Sequence, residues 1–134
     1  MFSLETHDGD ETSISYRIAG NGPPLLLLHG FPQTNMMWHK IAPALAERYT
    51  VVAADLRGYG DSGHPASDAA HAPYSKRAMA ADMAGLMRGL GHHSFMVAGH
   101  DRGGRVAHRL ARDHGDCVTP VSYTHLTLPT KVYV

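Results

Sequence analysis

The chain has 134 residues, with 12 Lys+Arg balanced by 12 Asp+Glu, 43% hydrophobic and 18% charged residues. That is an ordinary globular composition, and the lack of a net positive charge speaks against a nucleic-acid partner. The longest apolar run, Leu25 to Leu28, is far too short to span a bilayer, so no membrane partner is expected. The acidic stretch from Met1 to Glu11 has no apolar signal-peptide core, and the single Cys117 offers no internal disulfide. These features predict a cytoplasmic chain of one domain at most.

Along the chain the pattern is strand, helix, strand, helix, strand, helix. Residues Thr12 to Ile18 alternate polar and apolar, which predicts a half-exposed strand, and Gly20 to Pro24 is a turn cluster. Leu25 to Leu28 reads as a strand buried on both faces. Trp38, Ile41 and Leu45 recur at helical spacing, with Pro43 predicting a kink or restart. Val51 to Ala54 is a second buried strand, closed by Asp55 and a glycine-rich loop. Met79, Met83, Leu86, Met87 and Leu90 form an apolar helical stripe, with Ser75 as N-cap and Gly91 at C′. A third buried strand, Phe95 to Ala98, leads into a helix from Arg102 to His114, stopped by Gly115. Buried strands alternating with helices predict a mostly parallel sheet, whose ligands bind at the carboxyl ends of the strands. Three loops lie there: His29 to Thr34, Asp55 to Pro65 and Gly99 to Gly104.

Gly99-His100-Asp101-Arg102-Gly103, between a strand and a helix, has the pattern of a nucleophile elbow with aspartate at its tip. The helix N-terminus and Arg102 favour a charged carboxylate there, so Asp101 reads as an ionised nucleophile. The same five residues also fit an ordinary Asp N-cap. His29-Gly30-Phe31-Pro32 follows the first buried strand, where the architecture supplies one backbone N–H to an oxyanion hole; the candidate donors are Phe31 and Arg102. A cis bond before Pro32 is compatible with this loop. Asp55 to Ser62 reads as a turn held by its Asp and Arg side chains, marking the fold but not the chemistry. His92-His93 reads as a solvated pair in a turn, and nothing in the histidine spacing matches a metal motif.

Together these loops resemble the α/β-hydrolase superfamily, over Thr12 to Val118. The wording His29 to Thr34, Met37-Trp38-His39, Asp55 to Ser62 and Gly99 to Arg105 is similar to the haloacetate (fluoroacetate) dehalogenases. Epoxide hydrolases, their near relatives, usually carry Trp where Arg102 stands. The resemblance implies the N-terminal half of an α/β-hydrolase fold, truncated before the cap and the C-terminal strands. It also implies a small anionic substrate, a haloacetate. Arg102 and Arg105, three apart at a helix start, lie on one face and suit a carboxylate; ordinary surface salt bridges are the alternative use. The implied route is attack by Asp101 on the halogen-bearing carbon, halide loss, and hydrolysis of the resulting ester by histidine-activated water. It requires no metal and no organic cofactor. His29 and His100 are expected to shape their loops. The catalytic histidine, its acidic partner and the halide-binding groups of the cap belong to later parts of the family pattern and are not expected here. A homodimer is compatible with the full-length protein. The competing functions are an epoxide hydrolase and a non-catalytic binding module of the same fold.

From Pro120 the chain reads Pro-Val-Ser-Tyr-Thr-His-Leu-Thr-Leu-Pro-Thr, similar to a translated sequencing-library adapter. Residues 1–119 are therefore expected to be a partial α/β-hydrolase domain and 120–134 a non-native tail. The alternative is a genuine strand, since the segment is rich in Thr, Tyr and Val. On the first reading the strand before Asp101 keeps an unpaired edge, and the chain folds poorly, aggregates and does not turn over.

Overall fold

The computed structural model describes residues 2–31, 33–66 and 74–124, with 119–124 described as backbone. Six strands form one mixed sheet in the order β1-β2-β4-β3-β5-β6. These are β1 (Ser3–Asp8), β2 (Ser13–Ala19), β3 (Pro24–Leu28), β4 (Thr50–Ala54), β5 (Phe95–His100) and β6 (Val118–Thr124). The pairs β1–β2 and β2–β4 are antiparallel, whereas β4–β3, β3–β5 and β5–β6 are parallel. β1 had no sequence signal: its residues, SLETHD, are polar apart from Leu4 and almost wholly exposed, as suits a charged edge strand.

Each central strand divides its side chains between two faces. Leu26 and Leu28 of β3, Val52 and Ala54 of β4, and Phe95 and Val97 of β5 enter the larger core. There they meet two helices, α2 (Lys76–Gly89) and α3 (Arg102–Asp113). The predicted methionine stripe faces this core: Met79, Met83, Leu86 and Met87 are buried and Leu90 packs at its edge. Ser75 Oγ accepts from Ala78 N at 3.1 Å, and Gly91 takes φ +88° beyond the last turn, the left-handed conformation that favours glycine. On the opposite face Leu27, Val51 and Ala53 pack with Ala42, Trp38, Leu45 and Tyr49. The helix expected around Pro43 is broken in two: a 3-10 turn at Asn35–Trp38, then α1 (Ala42–Leu45) with Pro43 in its first turn. Proline is tolerated there because no intrahelical N–H is lost.

The expected unpaired edge of β5 is a point of correction. β6 pairs with β5 from Phe95↔Val118 to His100↔Thr124, with a register irregularity between Phe95 and Val97. A segment rich in Val, Thr and Tyr next to an open parallel edge satisfies its backbone groups by joining the ladder. The strand crosses the expected boundary at 119/120; the remainder of the tail lies outside the described residues. Among the described residues no helix is long and apolar enough to cross a membrane.

The strand order creates a crevice. From β3 the chain moves to β4 on one side, then crosses back through α2 to β5 on the other. The loops after β3 and β5 therefore diverge at their carboxyl ends, a topological switch point where α/β sheets bind ligands.

Candidate active site

Asp101 stands at that switch point. Its backbone has φ 55° and ψ −115°, the single positive φ among the described non-glycine residues. A Cβ in this region is strained by about 1–3 kcal/mol, and strain of this kind clusters where a side chain must be presented. The side chain makes no capping bond to α3. Its Oδ2 instead accepts from Phe31 N at 3.2 Å, across the crevice. The geometry thus departs from the ordinary N-cap reading of the same residues.

Small residues permit this approach. A Cβ on Gly30 would lie 2.6 Å from Asp101 Cβ and 3.0 Å from its Oδ2. A Cβ on Gly103 would overlap the carbonyl oxygens of Leu28 and His29, so α3 can start this close to β3 only with glycine there. The glycines of the two motifs are fixed by backbone proximity, which the sequence indicates only through their spacing.

His29 ties the loops together from below. It is fully buried, its Nε2 accepts from Leu56 N at 2.9 Å, and its Nδ1 donates to Gly30 O at 2.9 Å. The Leu56 donor fixes the tautomer, because a second N–H at Nε2 would face it. Burial pushes the His29 pKa below its usual 6.5, against the opposing pull of the Gly30 carbonyl and the Asp55 charge. Both ring nitrogens are thus committed to the scaffold. His100, the last residue of β5, lines a depression of about 390 Å³ with Leu27, Trp38 and Met96.

The Arg102 side chain is tied into the site. Its Nη1 donates to Tyr59 Oη at 2.9 Å, and its guanidinium carbon lies 4.7 Å from the Phe31 ring centroid. Arg105 begins the next turn, with its N donating to Asp101 O at 3.2 Å, and its side chain is exposed. Two residues were missed from the sequence. Tyr59 brings the Asp55–Ser62 loop, read as a structural turn, into contact with Arg102 and Phe31. Lys76, in the first turn of α2, is close enough for its pKa to be held below 10.5, first by burial and then by Arg102 and Arg105, with Asp101 opposing. No motif could have placed it there, because α2 and α3 meet only through tertiary packing. The possible cis bond at Pro32 lies outside the described residues. Among the described residues, no group of three or more His, Cys, Asp or Glu is arranged to hold a metal ion.

This elbow and its sheet can be compared with known proteins. The profile of the alpha/beta hydrolase fold matches residues 23–126. The chain belongs to the alpha/beta hydrolase fold family. Among curated relatives of this chain, the fluoroacetate dehalogenase of a Burkholderia species is 52% identical over 131 residues, covering 98% of this chain and 43% of the relative. A soluble epoxide hydrolase from Corynebacterium sp. (strain C12) is 48% identical over 103 residues, covering 77% of this chain and 34% of the relative. Among solved structures, a provisionally named alpha/beta hydrolase from Nostoc sp PCC 7120 superposes with a TM-score of 0.91 at 56% identity. That match covers 92% of this chain and 42% of the other. The chain therefore spans less than half the length of these relatives. The dehalogenase match covers so much of the chain that it must include most of residues 120–134.

Proposed function

We propose that this alpha/beta hydrolase chain carries the nucleophile half of a hydrolytic haloacetate dehalogenase, with Asp101 as the nucleophile. The observation that carries the reading is Arg102, seated on Phe31 and Tyr59 directly after the strained Asp101. A haloacetate brings a carboxylate that needs a cation, and a guanidinium offers it a planar, multidentate partner. Arg105 and Lys76 add positive potential in the same quarter. A neutral epoxide has no use for these charges.

The first step forms a bond from one Asp101 carboxylate oxygen to the halogen-bearing carbon, and the carbon–halogen bond breaks as halide leaves with its electron pair. The remaining oxygen becomes the carbonyl oxygen of the ester. In the resting chain Oδ2 already accepts from Phe31 N. Water attacking the ester carbon places negative charge on that oxygen, where the Phe31 N–H stabilises it, with the Arg102 N–H as second donor. Breaking the ester's acyl–oxygen bond releases a 2-hydroxy acid, regenerates the carboxylate and frees one proton. Proton removal from the water is assigned to a histidine beyond the residues present, as the family pattern implies. The substrate is a small organic anion, and no metal, organic cofactor, nucleic acid or membrane enters the scheme. A cytoplasmic location and a homodimer of the full-length protein belong to the same reading.

The test is to incubate the chain with chloroacetate and follow both halide and the mass of the peptide spanning Asp101. A carboxymethyl adduct on that peptide, absent in Asp101→Asn, is the expected result; halide beyond one equivalent means that ester hydrolysis also proceeds. Neither adduct nor halide would overturn the reading. The epoxide reading is favoured instead if styrene oxide alone modifies Asp101.

A further inference from the structure

We infer that Tyr59 is the positioning residue that holds Arg102 as the carboxylate seat, so that selection of an anionic substrate depends on a loop other than the nucleophile's own. The inference rests on the proposed reading of Arg102 and deepens it.

The tyrosine is held before it reaches the arginine. Its backbone belongs to two tight turns, with Tyr59 N donating to Leu56 O at 3.0 Å and Ser62 N donating to Tyr59 O at 3.1 Å. Its ring meets the buried His29 ring edge-on, with centroids 5.1 Å apart and planes at 65°. His29 is itself locked between Leu56 N and Gly30 O. From this base the hydroxyl accepts from Arg102 Nη1, while Phe31, also edge-on to Tyr59 at 6.3 Å, lies beneath the guanidinium. Arg102 is otherwise a long, exposed side chain whose rotamer freedom a substrate would have to freeze. The hydroxyl and the Phe31 ring bear part of that ordering before substrate arrives. A guanidinium has five N–H donors. Tyr59 engages one of its nitrogens and leaves donors for a carboxylate.

The probe is acetate, which has a carboxylate but no leaving group, so its binding is independent of the chemical step. The variant Tyr59→Phe keeps the ring against His29 and Phe31 and removes only the acceptor. NMR titration, reading the amides of Phe31 and Arg102, is expected to show acetate affinity weakened about fivefold, as loss of one hydrogen bond to a charged group predicts at a solvent-accessible site. Acetamide, its neutral counterpart, should respond equally in both proteins. In an Arg102→Leu background the same tyrosine substitution should have no further effect, because coupled residues are not additive. The inference is overturned if acetate does not bind the unaltered chain, if Tyr59→Phe binds it equally well, or if the loss is unchanged in the Arg102→Leu background. Acetate binding as expected, together with no reaction toward chloroacetate, would instead overturn the dehalogenase reading and leave the carboxylate seat standing.

Discussion

The loops after β4 and β5 leave the same end of the sheet, each begins with an aspartate within a residue of its strand, and they treat that aspartate in opposite ways. Asp55 is 2% exposed; its Oδ1 accepts from Asn35 N at 2.7 Å and its Oδ2 from Asp61 N at 3.0 Å. Its neighbours are equally committed. Ser62 Oγ donates to Asp55 O and accepts from Ser15 N, and Arg57 forms a two-pronged pair with Asp82 at 2.6 Å for each bond. Asp101 receives one donor across the crevice and sits on a strained backbone. A buried carboxylate with a backbone donor on each oxygen fixes a turn. One that is lifted onto a strained tip, with one donor among the described residues, is presented for reaction. The difference separates a scaffold acid from a candidate nucleophile better than the residue type does.

Substitutions can break or sharpen this contrast, beginning with the largest effect. The elbow depends on the absence of side chains, so Gly103→Ala, which drives a Cβ into two backbone carbonyl oxygens, should cost about 3 kcal/mol or more. Thermal unfolding would detect this as loss of the cooperative transition or a fall in Tm of many degrees. The loop after β4 depends on hydrogen bonds, so Asp55→Ala, which removes the acceptor of the buried Asn35 N–H and that of Asp61 N–H, should cost about 2–4 kcal/mol in urea unfolding. Stability unchanged within error would refute the scaffold assignment.

His29 joins the two loops, and its effect depends on pH. Its folded pKa lies below 6.5 because of burial, so the unfolded chain takes up its proton more readily. The stability linked to neutral His29 is fully present above 6.5 and is lost as pH falls from there through the lower folded value. His29→Gln should flatten the stability profile in that window relative to the unaltered chain; parallel profiles would show that the ring is not the titrating group. The smallest effect has the opposite sign. Asp101→Gly should abolish any adduct with chloroacetate yet raise stability by about 1 kcal/mol, because glycine accepts the positive φ without strain. A destabilised Asp101→Gly protein would mean that the elbow carboxylate is structural after all.

The origin of residues 120–134 is a separate question, decided by the DNA. Re-amplified template sequenced onward from the Thr119 codon should leave the adapter-like frame and continue into different residues. Genomic DNA encoding the same tail without an adapter would establish β6 as native sequence, consistent with its pairing to β5.

Strands β3, β4 and β5 were legible because each is a run of apolar residues too short for a helix and bounded by turn residues. Helices α2 and α3 were legible from their 3.6-residue stripes, and the elbow from glycines flanking Asp101. β1 was not legible, since an exposed edge strand needs no apolar face and Ser3 to Asp8 has none. A strand over the residues of β6 was legible only as the alternative to a non-native tail, because a short Thr- and Val-rich segment acquires its structure from the ladder beside it.

By itself the sequence determined which residues can be strand, helix or turn, and it placed an aspartate on a glycine-flanked tip followed by two arginines. These are local properties, set by backbone sterics and side-chain periodicity. Only the tertiary structure decided what those residues meet: β3 between β4 and β5, Phe31 N–H against Asp101, Tyr59 against Arg102, and Lys76 near both arginines. Contacts between residues 43 or 70 positions apart depend on how strands are ordered in the sheet and how helices cross it. No local pattern encodes that order, because it is the burial of both sheet faces, summed over the whole chain, that selects it.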